Sequence, residues 1–346
     1  MYINENSKDY TKDIFRCLLG LVAGFIICKY TTLYFGFLAP AVIFGTVFSM
    51  KDFSLKKFLK SNFWIVVFSW MGLFIGEIFF ENRLGLCIIT FGFFFSAFFF
   101  IHKNQSGIRM GILGYTYTTI NSTYLLNVEP MVKDIAIIIV ISGFISWILF
   151  IIFPNTLEIP ISKKIEREEI HKDVKNTLKI TIIIFLGWLL YMLFDIKDTF
   201  FAYATLCSIY GNLDMEEIYR VSLPNILINI LGCTLAIIFS FMINGISSSL
   251  IVFSLGLMLL FYPMFYVVYY GSLNLKKTFL GLIKGTIFPI GLYLTPYGDI
   301  TSKAFARALQ ISIMLLVSMV IIRILLFIEG DKNEEYKNTN INIKNK

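Results

Sequence analysis

The chain has 346 residues, of which 57% are hydrophobic and only 15% charged, and its mean hydropathy is +0.75. So small a charged fraction cannot cover the surface of a 39.8 kDa soluble globule, and apolar runs near 20 residues long recur from end to end, which excludes a soluble enzyme with one anchor. The net charge of +7 would point to nucleic acid in a soluble protein, but here Lys and Arg fall between the apolar runs, where they set topology; the expected partner is a lipid bilayer and not nucleic acid.

In chain order, residues 1–12 are polar and lead into the first apolar run, so a cytoplasmic N-terminus is expected in place of a cleavable signal peptide. Runs able to cross ~30 Å of hydrocarbon follow at 13–30, 32–50, 61–80, 84–101, 106–126 and 131–153, the last closing at Pro154. Residues 154–173, which contain SKKIEREEIHKD, are too polar for a bilayer and read as a charged cytoplasmic linker. A second set of runs lies at 174–194, 198–213, 221–243, 247–270, 277–296 and 301–328. Residues 329–346, rich in Asn and Lys, are expected to be a disordered cytoplasmic tail. The expected fold is an all-α polytopic membrane protein of about twelve transmembrane segments, forming two six-span parallel repeats over 13–153 and 174–328. The segments 32–50 and 198–213 are short, and each reads either as a full span or as a broken, re-entrant one.

The predicted inner loops hold most of the basic residues, among them Lys51, Lys56, Lys57, Lys60, Lys163, Lys164, Lys276 and Lys277, whereas the outer loops hold Lys29, Arg83, Lys133, Lys197 and Lys303. Both termini are therefore expected on the cytoplasmic side. Aligning Asp13 to Asn62 with Asn176 to Asn225 needs no gap and superposes Arg16 on Lys179, Gly24 on Gly187, Phe37 on Phe200, Lys57 on Arg220 and Asn62 on Asn225. A duplication of this kind makes parallel repeats about an axis along the membrane normal, with a transport pathway commonly between them.

A basic residue opening the first span, then an aromatic followed by small residues in a short second span (FGFLAPAVIFGTVF, and again FFAYATLCSIYGNL), then a basic interval, resembles the fusaric acid resistance or aromatic acid exporter family of bacterial inner-membrane proteins. The likeness is to a compact branch: the large cytoplasmic domain is replaced by the linker, and Leu38 or Phe201 stands where the family often has Trp. The resemblance implies export of aromatic or hydrophobic acids across the bacterial inner membrane, often with a periplasmic adaptor protein.

No catalytic constellation stands out. His102 and His171 have no metal-ligand partner at helical spacing, GILG and GLIKG lack a following Gly-Lys-Ser/Thr, and Cys17, Cys28, Cys87, Cys207 and Cys233 sit singly in apolar stretches. The chain is expected to be neither an enzyme nor a cofactor-binding protein, and no metal site is expected. Charges inside spans are the stronger signal, because each costs ~2.5–3.5 kcal/mol at a helix centre unless it meets a cavity or a partner. Lys284, between Gly281 and Gly285 and before Pro289, reads either as a pathway-facing cation that attracts anions or as a lysine reaching the headgroups. Arg307 in the last span and the matched pair Arg16 and Lys179 are further substrate-path candidates, with anchoring at the interface as the alternative. Glu77 reads as a proton-carrying carboxylate or an interfacial one. The polar strip from Tyr115 to Thr123, with Tyr117 and Asn121, is expected to line the pathway or to be buried between helices.

The function expected is efflux of hydrophobic or aromatic organic anions, driven by the proton gradient. A major-facilitator-type transporter of another substrate has the same six-plus-six layout, although its loop signature is missing from SMKDFSLKKFLKSN. A non-transporting membrane scaffold or assembly subunit, or a homo-oligomer, would use the intramembrane charges to hold neighbouring chains.

Overall fold

The apolar runs become helices because only a helix satisfies its own backbone polar groups in hydrocarbon. A computed structural model describes residues 9–31, 33, 35–100, 106–124, 129–154, 174–194, 215–243 and 249–293, together with 309, 312, 313, 316, 317 and 319–324. Among these, all regular structure is helical: α1 (Thr11–Tyr30), α2 (Leu38–Ser49), α3 (Leu55–Ile78), α4 (Arg83–Phe100), α5 (Ser106–Thr123), α6 (Glu129–Ile152), α7 (Val174–Phe194), α8 (Met215–Ile243), α9 (Leu250–Tyr270) and α10 (Leu273–Tyr293). Residues 319–324 are also helical. Four stretches are long and apolar enough to cross a membrane, Leu55–Ile78, Val132–Ile152, Pro224–Met242 and Leu250–Tyr270, and the chain has the make-up of an all-α membrane protein. The segment 198–213, the interior of the linker, the tail and most of 301–328 lie outside the described residues.

The helices differ in length from the apolar runs. Helix α3 starts six residues before the run at 61, because Lys56, Lys57 and Lys60 are good helix formers and carry the hydrogen-bonded ladder past the hydrocarbon boundary. Helices α8 and α10 also begin ahead of their runs. Segment 32–50 takes the broken form: after Tyr30 the chain turns through Phe35–Phe37, and α2 has only 12 residues, about 18 Å, too short for the bilayer core.

Contacts across the ends fix which helix termini lie together. At one end the Tyr10 N–H donates to the Tyr270 hydroxyl at 3.1 Å, Phe53 meets Phe58 and Phe150, and Arg16 reaches Phe153 O. At the other end, the ammonium of Lys29 lies 4.5 Å from the centre of the Phe253 ring, Cys28 donates to Gly291 O, and Tyr124 donates to Met192 O. The first end carries exposed Lys12, Lys51, Lys56, Lys57, Lys60 and Lys277 with Asp9 and Asp52, whereas the second carries Glu77, Glu81, Glu129 and Asp134 beside Lys29, Arg83 and Lys133. At the second end Lys133 pairs with Glu129 at 2.6 Å and holds that carboxyl below the usual range, a negative charge placed favourably in the first turn of α6.

Helix packing follows a regular scheme. The closest neighbours are α3 with α5, α8 with α10, and α1 with α2, and α6 lies against α1, α2 and α3. Helix α1 packs on α9, and α4 packs on α7. Two apolar cores result. One is built by α3, α4, α5, the start of α6 and α7, and the other by most of α1, the end of α6, α9 and α10; α2 and α8 give residues to both, and Cys28 of α1 joins the first.

Glycine permits the tightest crossings. A Cβ on Gly24 would lie 2.4 Å from the Cα of Pro40, one on Gly72 would lie 2.5 Å from Tyr115 O, and one on Gly232 would lie 2.7 Å from the backbone carbon of Gly285. Nothing lies within 4 Å of a Cβ at Gly45 or Gly92. Alanine favours a helix over glycine by about 1 kcal/mol, but overpacking against backbone that cannot yield costs about 1–3 kcal/mol. Gly24→Ala and Gly72→Ala are therefore expected to lower the thermal unfolding midpoint in detergent, while Gly45→Ala and Gly92→Ala leave it unchanged or raise it. Equal effects at all four positions would refute glycine-dependent crossing.

Candidate functional site

Buried polar groups are the natural places to look, since apolar contact alone accounts for the rest of the interior. The strongest is at the basic end of α1. Asp13 and Arg16, one turn apart, are both buried, and Arg16 Nη2 donates to Asp13 Oδ1 at 2.7 Å. Arg16 Nη1 donates to Phe153 O at 3.0 Å, and the guanidinium carbon lies 4.7 Å from the centre of the Phe150 ring. Pro154 ends α6 there and leaves carbonyls without helical donors, so the cation meets both a free acceptor and the negative end of the helix dipole. The planar fork of arginine serves the carboxylate and the carbonyl at once, which an ammonium does with less geometric definition. Asp13, which spacing alone did not single out, was legible as an acid one turn before Arg16.

Lys179, which the sequence alignment pairs with Arg16, is half-buried on α7, and that alignment pairs Asn176 with Asp13.

The other candidates are dispersed. Glu77 is exposed at the penultimate residue of α3, at the acidic end, while Lys284 is near the middle of α10 with its side chain exposed on the single chain. Tyr117 and Asn121 are brought together on α5: Asn121 Nδ2 donates to Tyr117 O at 2.7 Å, and the Tyr117 ring meets Phe35 edge-on at 4.8 Å. Arg307 lies outside the described residues.

The polar strip of α5 resolves into two uses. Thr118 and Ser122 face Gly72 and Gly76 of α3, and their hydroxyls bond to carbonyls of their own helix, Gly114 O and Thr119 O. Tyr115, fully buried, turns instead towards α4, its hydroxyl 3.0 Å from Thr90 Oγ1 and its ring stacked on Phe93 at 3.9 Å. Sequence reading passed over Trp188 of α7, which is fully buried and whose Nε1 has no hydrogen-bond partner among the described residues. Its signal was a large amphipathic side chain in mid-span, and the chain has only four tryptophans.

Cys17, Cys28 and Cys233 are buried thiols, and Cys17 Sγ lies 3.5 Å from the Tyr269 hydroxyl. Among the described residues no three His, Cys, Asp or Glu side chains are grouped to hold a metal ion.

The Asp13–Arg16 pair generates a specific expectation. Arg16→Met leaves a buried carboxylate without its partner and is expected to destabilise the protein by about 3–5 kcal/mol, whereas Arg16→Met with Asp13→Leu recovers most of that loss. Thermal unfolding of the purified variants in detergent decides it. A stable single variant would show that Arg16 does not tie α1 to α6.

Compared with protein-family models, with curated proteins and with solved structures, the chain matches none.

Proposed function

We propose that the chain is an efflux transporter of the bacterial inner membrane, built from two pseudo-equivalent halves, which exports hydrophobic or aromatic organic anions at the expense of the proton gradient. The observation that carries the reading is a correspondence between helices of the two halves. Buried Ile14, Cys17, Leu18, Leu21, Gly24, Phe25 and Cys28 on α1 have the same spacing as buried Thr177, Ile180, Thr181, Ile184, Gly187, Trp188 and Tyr191 on α7. Buried Leu86, Thr90, Phe94, Ala97 and Phe98 on α4 are spaced like buried Phe253, Leu257, Phe261, Met264 and Phe265 on α9.

The partners correspond too. Exchange of halves turns the α1–α9 contact into α7–α4, and the close α3–α5 pair into α8–α10. Gly114 of α5 faces Ile65 and Ser69 of α3, and Gly285 of α10 faces Ile228 and Gly232 of α8; continuing the register of the sequence alignment past Asn62 and Asn225 pairs Ile65 with Ile228 and Ser69 with Gly232. A two-fold arrangement of this kind supports a pathway between halves and alternating access about it. The basic end supports cytoplasmic placement of the N-terminus. The substrate class rests on the resemblance to aromatic acid exporters, as does a periplasmic adaptor as partner.

Uptake of radiolabelled benzoate into inverted membrane vesicles, with and without a proton gradient, tests the reading. Gradient-dependent accumulation is expected, and Lys284→Met is expected to reduce it severalfold at equal protein level, with partial recovery in Lys284→Arg, because a cation in a partly dehydrated path attracts an anion more strongly than in water. Folded protein that moves no aromatic acid in either condition would refute export. Reporter fusions at Lys164 and at the C-terminus are expected to mark cytoplasm, and one near Glu129 the outside.

A further inference from the structure

A tyrosine facing hydrocarbon places its ring well but leaves its hydroxyl without the partner that water or a headgroup supplies. Helix α9 nevertheless exposes three of them at i, i+4 and i+8, on one side of the helix: Tyr262, Tyr266 and Tyr270 are 43%, 51% and 40% exposed. Ring contacts join this stripe to α1. The Tyr10 ring meets that of Tyr270 edge-on at 5.5 Å, the rings of Tyr266 and Tyr270 are 4.8 Å apart, and the ring of exposed Phe15 lies 6.3 Å from that of Tyr262. A continuous aromatic track therefore follows the outer line where α1 meets α9.

The track runs along the span and not around it. Tyr262 and Tyr270 are eight residues apart, about 12 Å along the helix, so they do not share one depth as a girdle of interfacial tyrosines does. Among the described residues, neither the Tyr262 nor the Tyr266 hydroxyl has a hydrogen-bond partner. Farther from the basic end, the same side of α9 continues with exposed Leu259 and Leu255. At the basic end the first turn of α1 brings positive charge, from its unpaired N–H groups and from exposed Lys12, one turn before Phe15. The nearby acid Asp9 accepts from the N–H and hydroxyl of Thr11, which engage its carboxylate locally. From the end inwards the surface thus reads cation, then ring-borne hydroxyls, then aliphatic side chains. A phospholipid presents the complementary order: phosphate, ester oxygens, acyl chain.

We propose that the outer face along α1 and α9 is a binding site for one anionic phospholipid. The phosphate lies at Lys12 and the start of α1, the ester oxygens accept from the hydroxyls of Tyr266 and Tyr262, and the acyl chains run along Phe15, Leu259 and Leu255. A head of net negative charge is preferred to a zwitterionic one, because the ammonium of the latter brings a second cation beside Lys12. A lipid is an extended ligand, so a linear track of contacts suits it where a compact molecule would need a cavity. The face is open as it stands, and no helix has to move. Because the site is on the outer surface of the bundle, it does not rest on the export reading.

The test uses the full-length protein in detergent, titrated with palmitoyl-oleoyl phosphatidylglycerol or with the phosphatidylcholine of the same chains, and read by native mass spectrometry. One phosphatidylglycerol is expected to bind at least about fivefold more tightly than phosphatidylcholine. Lys12→Gln is expected to weaken phosphatidylglycerol about fivefold, the value of one lysine near an anionic surface, and to leave phosphatidylcholine unchanged. Tyr262→Phe combined with Tyr266→Phe keeps both rings and removes both hydroxyls, and is expected to weaken either lipid about tenfold. All three side chains are exposed, so the thermal unfolding midpoint without added lipid is expected to stay the same in these variants, which separates lost binding from lost folding. Equal affinity for the two lipids overturns the proposal. So does unchanged phosphatidylglycerol affinity in the double variant, which would leave the tyrosines as ordinary interfacial residues, or a dimer that the double variant dissociates, which would put a second copy of the chain on this face.

Discussion

The rest of the structure depends on a few places where two helix backbones nearly touch. Lipid tails are as apolar as leucine, so apolar side chains gain little by leaving lipid for a neighbouring helix, and association depends on dispersion contact and on backbone proximity. Gly24 against Pro40 sets α2 against α1, Gly72 and Gly76 hold α5 on α3, and Gly232 meets Gly285 between α8 and α10. Pro289 adds to the last contact: it lacks the N–H that would serve the Gly285 carbonyl, and that carbonyl lies against Gly232, where no side chain intervenes. Once these pairs are formed, large rings such as Phe25, Phe94, Phe261 and Trp188 fill the spaces between them.

Charge is handled in the same economical way. Arg16 is neutralised within its own turn by Asp13 and oriented by the end of α6, so its charge is spent on joining two helices. Of the remaining exposed charges, most lysines gather at one end, with Asp9 and Asp52 among them, and Glu77, Glu81 and Glu129 lie at the other. A buried pair of this type adds little net stability against an apolar equivalent, but it specifies the register of α1 on α6, because only one placement gives the guanidinium both its acceptors.

The seams α1–α9 and α4–α7 differ in chemistry. Several buried positions share their spacing, yet the first seam is polar only where Cys17 meets the Tyr269 hydroxyl, whereas the second carries buried threonines and an indole. In a membrane interior each such polar group costs free energy unless it finds a partner.

Composition and run length were sufficient to determine that the chain is helical and apolar enough for a bilayer, because self-satisfaction of backbone hydrogen bonds leaves hydrocarbon few other options. Local spacing also carried the approximate bounds of most helices. Helix ends were less legible, since lysines at 56, 57 and 60 extend α3 into water without altering the apolar run, and the turn at Phe35–Phe37 shortens α2 inside one. What only the tertiary structure decided is which faces meet. Arg16 became a tie to Phe153, the strip on α5 divided between α3 and α4, and Trp188 emerged as a buried donor without an acceptor among the described residues, because these facts depend on contacts between residues far apart in the chain that helical periodicity does not encode.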